Sequence, residues 1–119
     1  MSDLAASEKP IELAHLNQYT GGDARLNAEV FQLFSRHCEE TLRRLEGLLQ
    51  SPECKAWRDA AHGLKGAAMG IGAFDLAEAA RDAEALDPQT APLRAASLLR
   101  TLSERLEVVR AFIEAYLAV

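Results

Sequence analysis

The chain has 119 residues, a formal net charge of −5, and 49% hydrophobic and 26% charged residues. This length fits one domain that can bury a core without disulfide or metal staples, and the hydrophobic fraction excludes general disorder. Because phosphate neutralisation requires a concentrated basic surface, the negative charge argues against nucleic acid as a main ligand.

The N-terminal segment "MSDLAASEKP" lacks a basic start and a long apolar core, so it does not resemble a signal peptide. No uninterrupted apolar run approaches the roughly 18 residues of a membrane span. We therefore expect a soluble cytoplasmic protein with no membrane partner, and the start methionine and the length favour a stand-alone protein. Residues 1–9 are expected to form a flexible tail, and residues 10–119 a single domain.

The predicted elements begin with a short helix that Pro10 opens and that runs through "IELAHLNQY" to the break at "TGGD". Asp23 is then the predicted N-cap of a long second helix, whose apolar residues recur at helical spacing as far as "LRRLEGLLQ". Ser51 and Pro52 are predicted to be the N-cap and first position of a third helix.

The third helix runs into "AHGLKGAAMGIG", residues 61–72, which holds four of the seven glycines. A fourth helix is predicted at about residues 73–86, and "DPQTAP" separates it from a fifth at about 91–117. No stretch alternates apolar and polar residues as a strand would. The predicted fold is all-α: an antiparallel up-down four-helix bundle with an additional short N-terminal helix.

A helical wheel of the third helix, drawn at about 100° per residue, separates a buried stripe from an outer face. The stripe consists of Trp57, Ala61, Leu64 and Ala68. His62 lies about 140° from Trp57, on the outer face, with Lys65 and Gly66 beside it one turn further along. A surface histidine usually has no special role, but this one is flanked by bare glycine backbone and one cation.

This combination favours phosphoryl chemistry. A neutral imidazole nitrogen is nucleophilic near pH 7, and Lys65 could balance part of the charge that a phosphoryl group would add to His62. The sequence contains no P-loop, no kinase-type glycine-rich loop after a strand and no carboxylate cluster for Mg²⁺. It therefore indicates a phosphocarrier without ATP-binding or autokinase machinery.

The segment "AHGLKGAAMGIGAFDLAEAARDAE" resembles the signature of histidine-containing phosphotransfer (HPt) domains, H-x-L-K-G followed by a glycine six residues on and then a helix. The matching residues are His62, Leu64, Lys65, Gly66 and Gly72. With "LNQYTGGDARLNAEVFQLF" upstream, the resemblance covers about residues 10–117. It departs at Ala67, where many members have a small hydroxyl residue, and at Gly70, near which many have asparagine.

The resemblance implies a four-helix bundle that exchanges phosphoryl groups with the aspartate of receiver domains. By that analogy His62 is the phosphoacceptor, Lys65 stabilises the phosphoryl group and Gly66 leaves room for the receiver. Further partner-binding candidates are Arg58, Asp59, Gly63 and Met69. The expected partners are response-regulator receiver domains, a hybrid histidine kinase, or both. The protein is expected to be a monomer with no cofactor of its own, and the receiver to supply Mg²⁺.

A different class of function is a non-phosphorylated helical adaptor that uses the bundle surface only to bind signalling partners. The set of His62, Lys65 and Gly66 argues against it, since an adaptor has no evident need for that combination.

The histidines are not interpreted as metal ligands, and His15, His37 and the two cysteines are interpreted as structural. His15, His37 and His62 lie on three different predicted helices without an HxxxH pair, and His37 is predicted to be partly buried rather than a metal ligand. Cys38 and Cys54 show no CxxC spacing and are predicted to be buried, reduced thiols.

Overall fold

The computed structural model describes residues 9–118, and these form five α-helices without a β-strand. The helices are α1 (Leu13–Thr20), α2 (Ala24–Gln50), α3 (Cys54–Ile71), α4 (Phe74–Glu84) and α5 (Pro92–Leu117). The all-α prediction is confirmed. Residues 1–8 of the predicted tail lie outside the described residues. Within residues 9–118, no helix is long and apolar enough to cross a membrane.

The four longer helices form a closed ring of neighbours. Each of α2, α3 and α4 packs against the next helix in the chain, and α5 packs back against α2. Short connections at residues 51–53, 72–73 and 85–91 reverse the chain direction each time, which makes the bundle antiparallel. The short helix α1 packs against α2 and α3. This is the predicted four-helix bundle with one additional N-terminal helix.

The predicted start of α2 is correct. The Asp23 carboxylate accepts a hydrogen bond of 3.0 Å from the backbone N–H of Leu26, as an N-cap should. The preceding helix ends at Gly21, whose φ of +68° is the left-handed conformation that glycine adopts without strain. Local sequence signals therefore place this junction correctly.

The predicted start of α3 is wrong. Ser51 instead ends α2, and its N–H donates to the carbonyl of Gly47 at 3.3 Å. The helix begins only at Cys54, with Glu53 as its N-cap. A residue before proline is held out of the helical region, and Ser51, with φ −130° and ψ 74°, lies outside it. The side chain of Gln89 donates a hydrogen bond of 3.1 Å to the Pro52 carbonyl.

The first helix also begins later than predicted. Pro10 does not open it, and α1 starts at Leu13. The backbone N–H of Glu12 instead donates to the carbonyl of Gly72 at 2.9 Å, so this segment is tied to the end of α3. Gly72 has a φ of +84°, and a Cβ atom there would lie 2.6 Å from the carbonyl oxygen of Glu12.

The core is continuous through the bundle, and two predictions about buried side chains need correction. The largest fully buried side chains include Phe31, Cys38, Leu45, Trp57, Leu64, Leu76 and Leu102. Burial, helped by the Glu39 carboxylate, raises the pKa of the Cys38 thiol to about 12. Cys54 is only half-buried, because it opens α3 at the end of the bundle. His37 is exposed, because it lies one residue away from the stripe that carries Cys38.

The most extensive interface joins α3 and α4. It is lined by small buried side chains, among them Ala60, Ala61 and Ala68 of α3 and Ala77, Ala80 and Ala83 of α4. The buried indole Nε1–H of Trp57 donates to the carbonyl of Ala83 at 2.7 Å. This hydrogen bond holds the last turn of α4 against the first half of α3.

We expect Gly72→Ala to lower the free energy of unfolding by at least about 1 kcal/mol, since a left-handed conformation alone costs a non-glycine residue roughly 1–2 kcal/mol. The clash with Glu12 adds to that cost. Gly47→Ala is the matched control. A Cβ atom there meets nothing within 4 Å, so it should raise the same free energy by up to about 1 kcal/mol.

Urea denaturation followed by circular dichroism measures both variants. Stabilisation of the protein by Gly72→Ala would contradict the structural role of Gly72.

Candidate functional site

His62 is displayed on the outer face of α3. Its side chain is 66% exposed, whereas Trp57 and Ala61 on the neighbouring stripe are fully buried. The helical wheel is therefore correct about the direction in which the imidazole ring points.

A single carboxylate joins His62 to Lys65. Glu84, the last residue of α4, places Oε2 at 2.8 Å from Nδ1 of His62 and Oε1 at 2.8 Å from Nζ of Lys65. Lys65 lies on the same side of α3 as His62, as predicted, but its ion pair is with Glu84. Glu84 is absent from the residues predicted from the sequence, although it lies in the quoted HPt-like segment.

The charge on Glu84 determines which nitrogen of His62 carries a proton. The hydrogen bond from Lys65, followed by that from His62, lowers the pKa of the Glu84 carboxyl below its usual value. An ionised carboxylate can only accept hydrogen bonds, so Nδ1 must be the donor in this contact. In the neutral ring, Nε2 then carries the free lone pair.

The glycines of α3 leave the helix surface beside His62 bare. A Cβ atom at Gly63, Gly66 or Gly70 would meet nothing within 4 Å, and all three residues are exposed. Packing within the bundle therefore does not explain them, although each costs helix stability relative to alanine. Gly72 differs from them, because the backbone of Glu12 lies so close that a side chain at Gly72 would clash with it.

The other predicted partner-binding residues also lie on accessible parts of α3. Asp59 forms an exposed ion pair of 2.7 Å with Lys55, and Arg58 places Nη2 at 3.3 Å from Sγ of Cys54. Met69 is 48% exposed. None of these three contacts His62 through a hydrogen bond among the described residues, so their role in binding stays a prediction.

A shallow groove between α3 and α4 begins at Lys65. It is lined by Lys65, Met69, Phe74, Ala77, Glu78 and Arg81. Phe74 is exposed on one side because it is the first residue of α4, and its ring packs edge-on against His15 at 5.1 Å. The groove thus adds apolar surface to the charged and glycine-rich surface around His62.

Within residues 9–118, no three histidine, cysteine, aspartate or glutamate side chains are grouped to hold a metal ion. His15 packs against Tyr19 and Phe74, and His37 is exposed on α2. Of the three histidines, His62 is the one whose hydrogen bond to a carboxylate the structure shows.

The model of the Hpt domain family matches residues 29–115. Since this match covers most of the chain, including α3 and α4, the chain belongs to the Hpt domain family. Its fold is similar to the crystal structure of histidine-containing phosphotransfer protein B (HptB) from Pseudomonas aeruginosa PAO1, with a TM-score of 0.82. That likeness covers 90% of this chain and 93% of HptB at 23% sequence identity. A comparison with curated proteins gives no match.

Proposed function

We propose that this Hpt domain protein carries a phosphoryl group on Nε2 of His62 between receiver domains of a phosphorelay. The observation that carries the proposal is the contact of Nδ1 with the Glu84 carboxylate, which leaves the Nε2 lone pair for attack on an exposed ring. In the transfer, Nε2 attacks the phosphorus of a receiver phosphoaspartate. The new N–P bond forms as the acyl O–P bond breaks, and the aspartate leaves as a carboxylate.

Lys65 supplies positive charge close to the transferred group in this proposal. The Lys65 ammonium forms an ion pair with the Glu84 carboxylate, which also contacts the His62 ring. The Lys65 side chain is 26% exposed, so it is partly shielded from water. A phosphoryl group carries close to two negative charges at neutral pH. A partly shielded cation stabilises such charge more strongly than one in bulk water.

The glycine-rich surface of α3 is the proposed docking site for the receiver. At Gly63, Gly66 and Gly70 the partner can approach the helix backbone closely, because no side chain stands between them. The exposed side chain of Met69 and the groove beside Lys65 supply apolar contact area. Arg58 and Asp59, one turn before His62, are proposed to form the polar edge of this surface.

We assign Mg²⁺ to the receiver rather than to this chain. Both oxygens of the Glu84 carboxylate are already bound by His62 and Lys65, which leaves that carboxylate poorly placed to act as a metal ligand. We further propose that the protein acts as a cytoplasmic monomer, with receivers of response regulators, of a hybrid histidine kinase, or of both as its partners.

We expect His62→Gln to abolish acid-labile phosphorylation, because the amide lacks the nucleophilic nitrogen. His62 is exposed, so helicity and thermal melting should not change. His37→Gln is the matched control, since His37 is also exposed on a long helix, and it should be phosphorylated like the wild type.

The measurement is incubation with a phosphorylated receiver, followed by detection of acid-labile phosphate on this protein. Phosphorylation of the His62→Gln variant would move the acceptor elsewhere. A wild-type protein that binds the receiver without gaining phosphate would instead be an adaptor.

We expect Lys65→Ala to slow phosphoryl transfer about tenfold or more, since one electrostatic contact to a transferred group commonly contributes this much. Stability should change little, because a partly exposed ion pair contributes roughly 1 kcal/mol at most. Lys55→Ala is the control, since it removes an exposed lysine with an ion pair from the same helix. Stopped-flow transfer rates compare the two variants, and equal rates would show that Lys65 is dispensable.

We expect Gly66→Ala to raise the free energy of unfolding by up to about 1 kcal/mol, because alanine favours the helix and a Cβ atom fits the open space. Gly66→Leu should also fold, but its side chain would fill the space that the receiver needs and would block transfer. Gly47→Leu, at an open glycine on α2, should fold and transfer normally.

Thermal melting and the transfer rate are measured on the same samples. Transfer at the wild-type rate by Gly66→Leu would refute the docking role of the glycine surface.

A further inference from the structure

A buried amide joins three helices of the bundle. Asn27, in the first turn of α2, is 2% exposed. Its Nδ2 donates a hydrogen bond of 3.0 Å to Oδ1 of Asn17 on α1 and one of 3.3 Å to the hydroxyl of Tyr116 on α5. All three residues lie outside residues 29–115, so the family match does not account for this cluster.

A gain in stability does not explain the amide of Asn27. Within residues 9–118, its buried Oδ1 has no hydrogen-bond partner. A buried acceptor without a partner costs free energy, and an apolar side chain of similar shape is often neutral or stabilising in place of a buried polar one. The benefit of the amide must therefore be sought in the position of the helices that it joins.

The helix α1 depends on directional contacts. It has eight residues, too few for a helix that is stable in isolation, and Leu16 is the one that is buried. Because burial of apolar surface is non-directional, one leucine does not fix the rotation of α1 about its axis. The backbone hydrogen bond from Glu12 to Gly72 holds the segment before α1, whereas the bond between Asn17 and Asn27 holds its second half. Since a hydrogen bond weakens steeply away from its preferred angle, this second bond fixes the rotation.

The position of α1 shapes the groove that begins at Lys65. Phe74 lines this groove and packs edge-on against His15 at 5.1 Å, and His15 packs in the same way against Tyr19 at 5.4 Å. We call His15, Tyr19 and Phe74 the aromatic edge. Tyr19 and Phe74 are exposed, and protein interfaces are enriched in exposed aromatic side chains of this kind. The aromatic edge thus extends the groove onto α1.

We propose that Asn27 is a positioning residue for receiver binding. Through Asn17 it fixes the rotation of α1 and so holds the aromatic edge against the receiver that docks at His62. This inference rests on the proposed function, because the aromatic edge continues the groove assigned there to the receiver. Asn27 does not touch the reacting atoms, so it acts on binding of the receiver and not on the chemical step.

The test removes the hydrogen bond between Asn17 and Asn27 from each side. Asn17→Ala deletes the acceptor at a half-buried position of α1, and since alanine favours a helix, loosening of α1 cannot come from its helix propensity. Gln18→Ala, at the exposed neighbouring position, is the matched control. Asn27→Leu deletes the donor and retains the branched shape of the side chain. Its control is Thr41→Val, which replaces the other buried polar side chain of α2.

The first measurement is amide hydrogen exchange of residues 13–20 in the unphosphorylated protein without a receiver, which requires no activity. We expect exchange at least about fivefold faster in Asn17→Ala and Asn27→Leu, the factor that loss of one net hydrogen bond gives. Both controls should exchange like the wild type.

Unchanged exchange of α1 in Asn17→Ala would overturn the proposal. So would faster exchange in all five helices, because it would give the amide a general role in stability. Circular dichroism verifies folding, and if Asn27→Leu does not fold, Asn17→Ala decides the question by itself because nothing fully buried is changed in it.

The second measurement is the initial rate of phosphoryl transfer from a phosphorylated receiver as the receiver concentration is varied. The half-saturating concentration should rise at least about twofold in both variants, as it does when α1 keeps its position in no more than about half of the molecules. The rate at saturation should not change, because His62, Lys65 and Glu84 are unaltered.

A lower rate at saturation with an unchanged half-saturating concentration would refute the role of Asn27 in receiver binding, even if α1 exchanges faster. A wild-type protein that gains no phosphate would refute the proposed function instead. That outcome is distinct from failure of the inference, in which the wild type is phosphorylated and both variants bind the receiver as the wild type does.

Discussion

The hydrogen bond from the Trp57 indole to the Ala83 carbonyl connects the core of the bundle to the surface that displays His62. It is buried and 2.7 Å long, and it lies directly behind the residue that contacts His62. A buried N–H without an acceptor would be costly, so the two helices can pack well only in the arrangement that satisfies it. That arrangement brings Glu84 of α4 to the ring of His62 on α3.

Small side chains make this close arrangement possible. Alanines on both α3 and α4 let the two helices approach, and the result is the most extensive interface in the bundle. Larger side chains there would separate the helices and lengthen the two 2.8 Å contacts of Glu84. The packing of the core and the electrostatics of the surface therefore depend on the same two helices.

The glycines of the "AHGLKGAAMGIG" segment serve two different physical purposes. Gly63, Gly66 and Gly70 face open space, so packing within the bundle does not explain their cost to the helix. Gly72 ends the helix in a left-handed conformation and receives the backbone of Glu12 in close contact. One glycine thus serves the fold, and the other three leave a surface on which a large partner can come close to His62.

The sequence alone determined what depends on local periodicity. The all-α fold, the Asp23 cap and the outward direction of His62 follow from helical spacing and from the chemistry of helix ends, which act within one or two turns. The same local rules misplaced the starts of α1 and α3. In each case a distant partner, Gly72 for the segment before α1 and Gln89 for Pro52, binds the backbone where a helix was predicted.

Only the tertiary structure could identify Glu84. It lies 22 residues after His62, on a different helix, in a segment where several acidic residues are equally plausible partners. Which of them meets the ring depends on the rotation and axial position of α4 against α3, and buried contacts such as that of Trp57 with Ala83 set these. The outward direction of His62 could be predicted because one helix defines it, whereas the carboxylate that contacts its ring is found only where two helices meet.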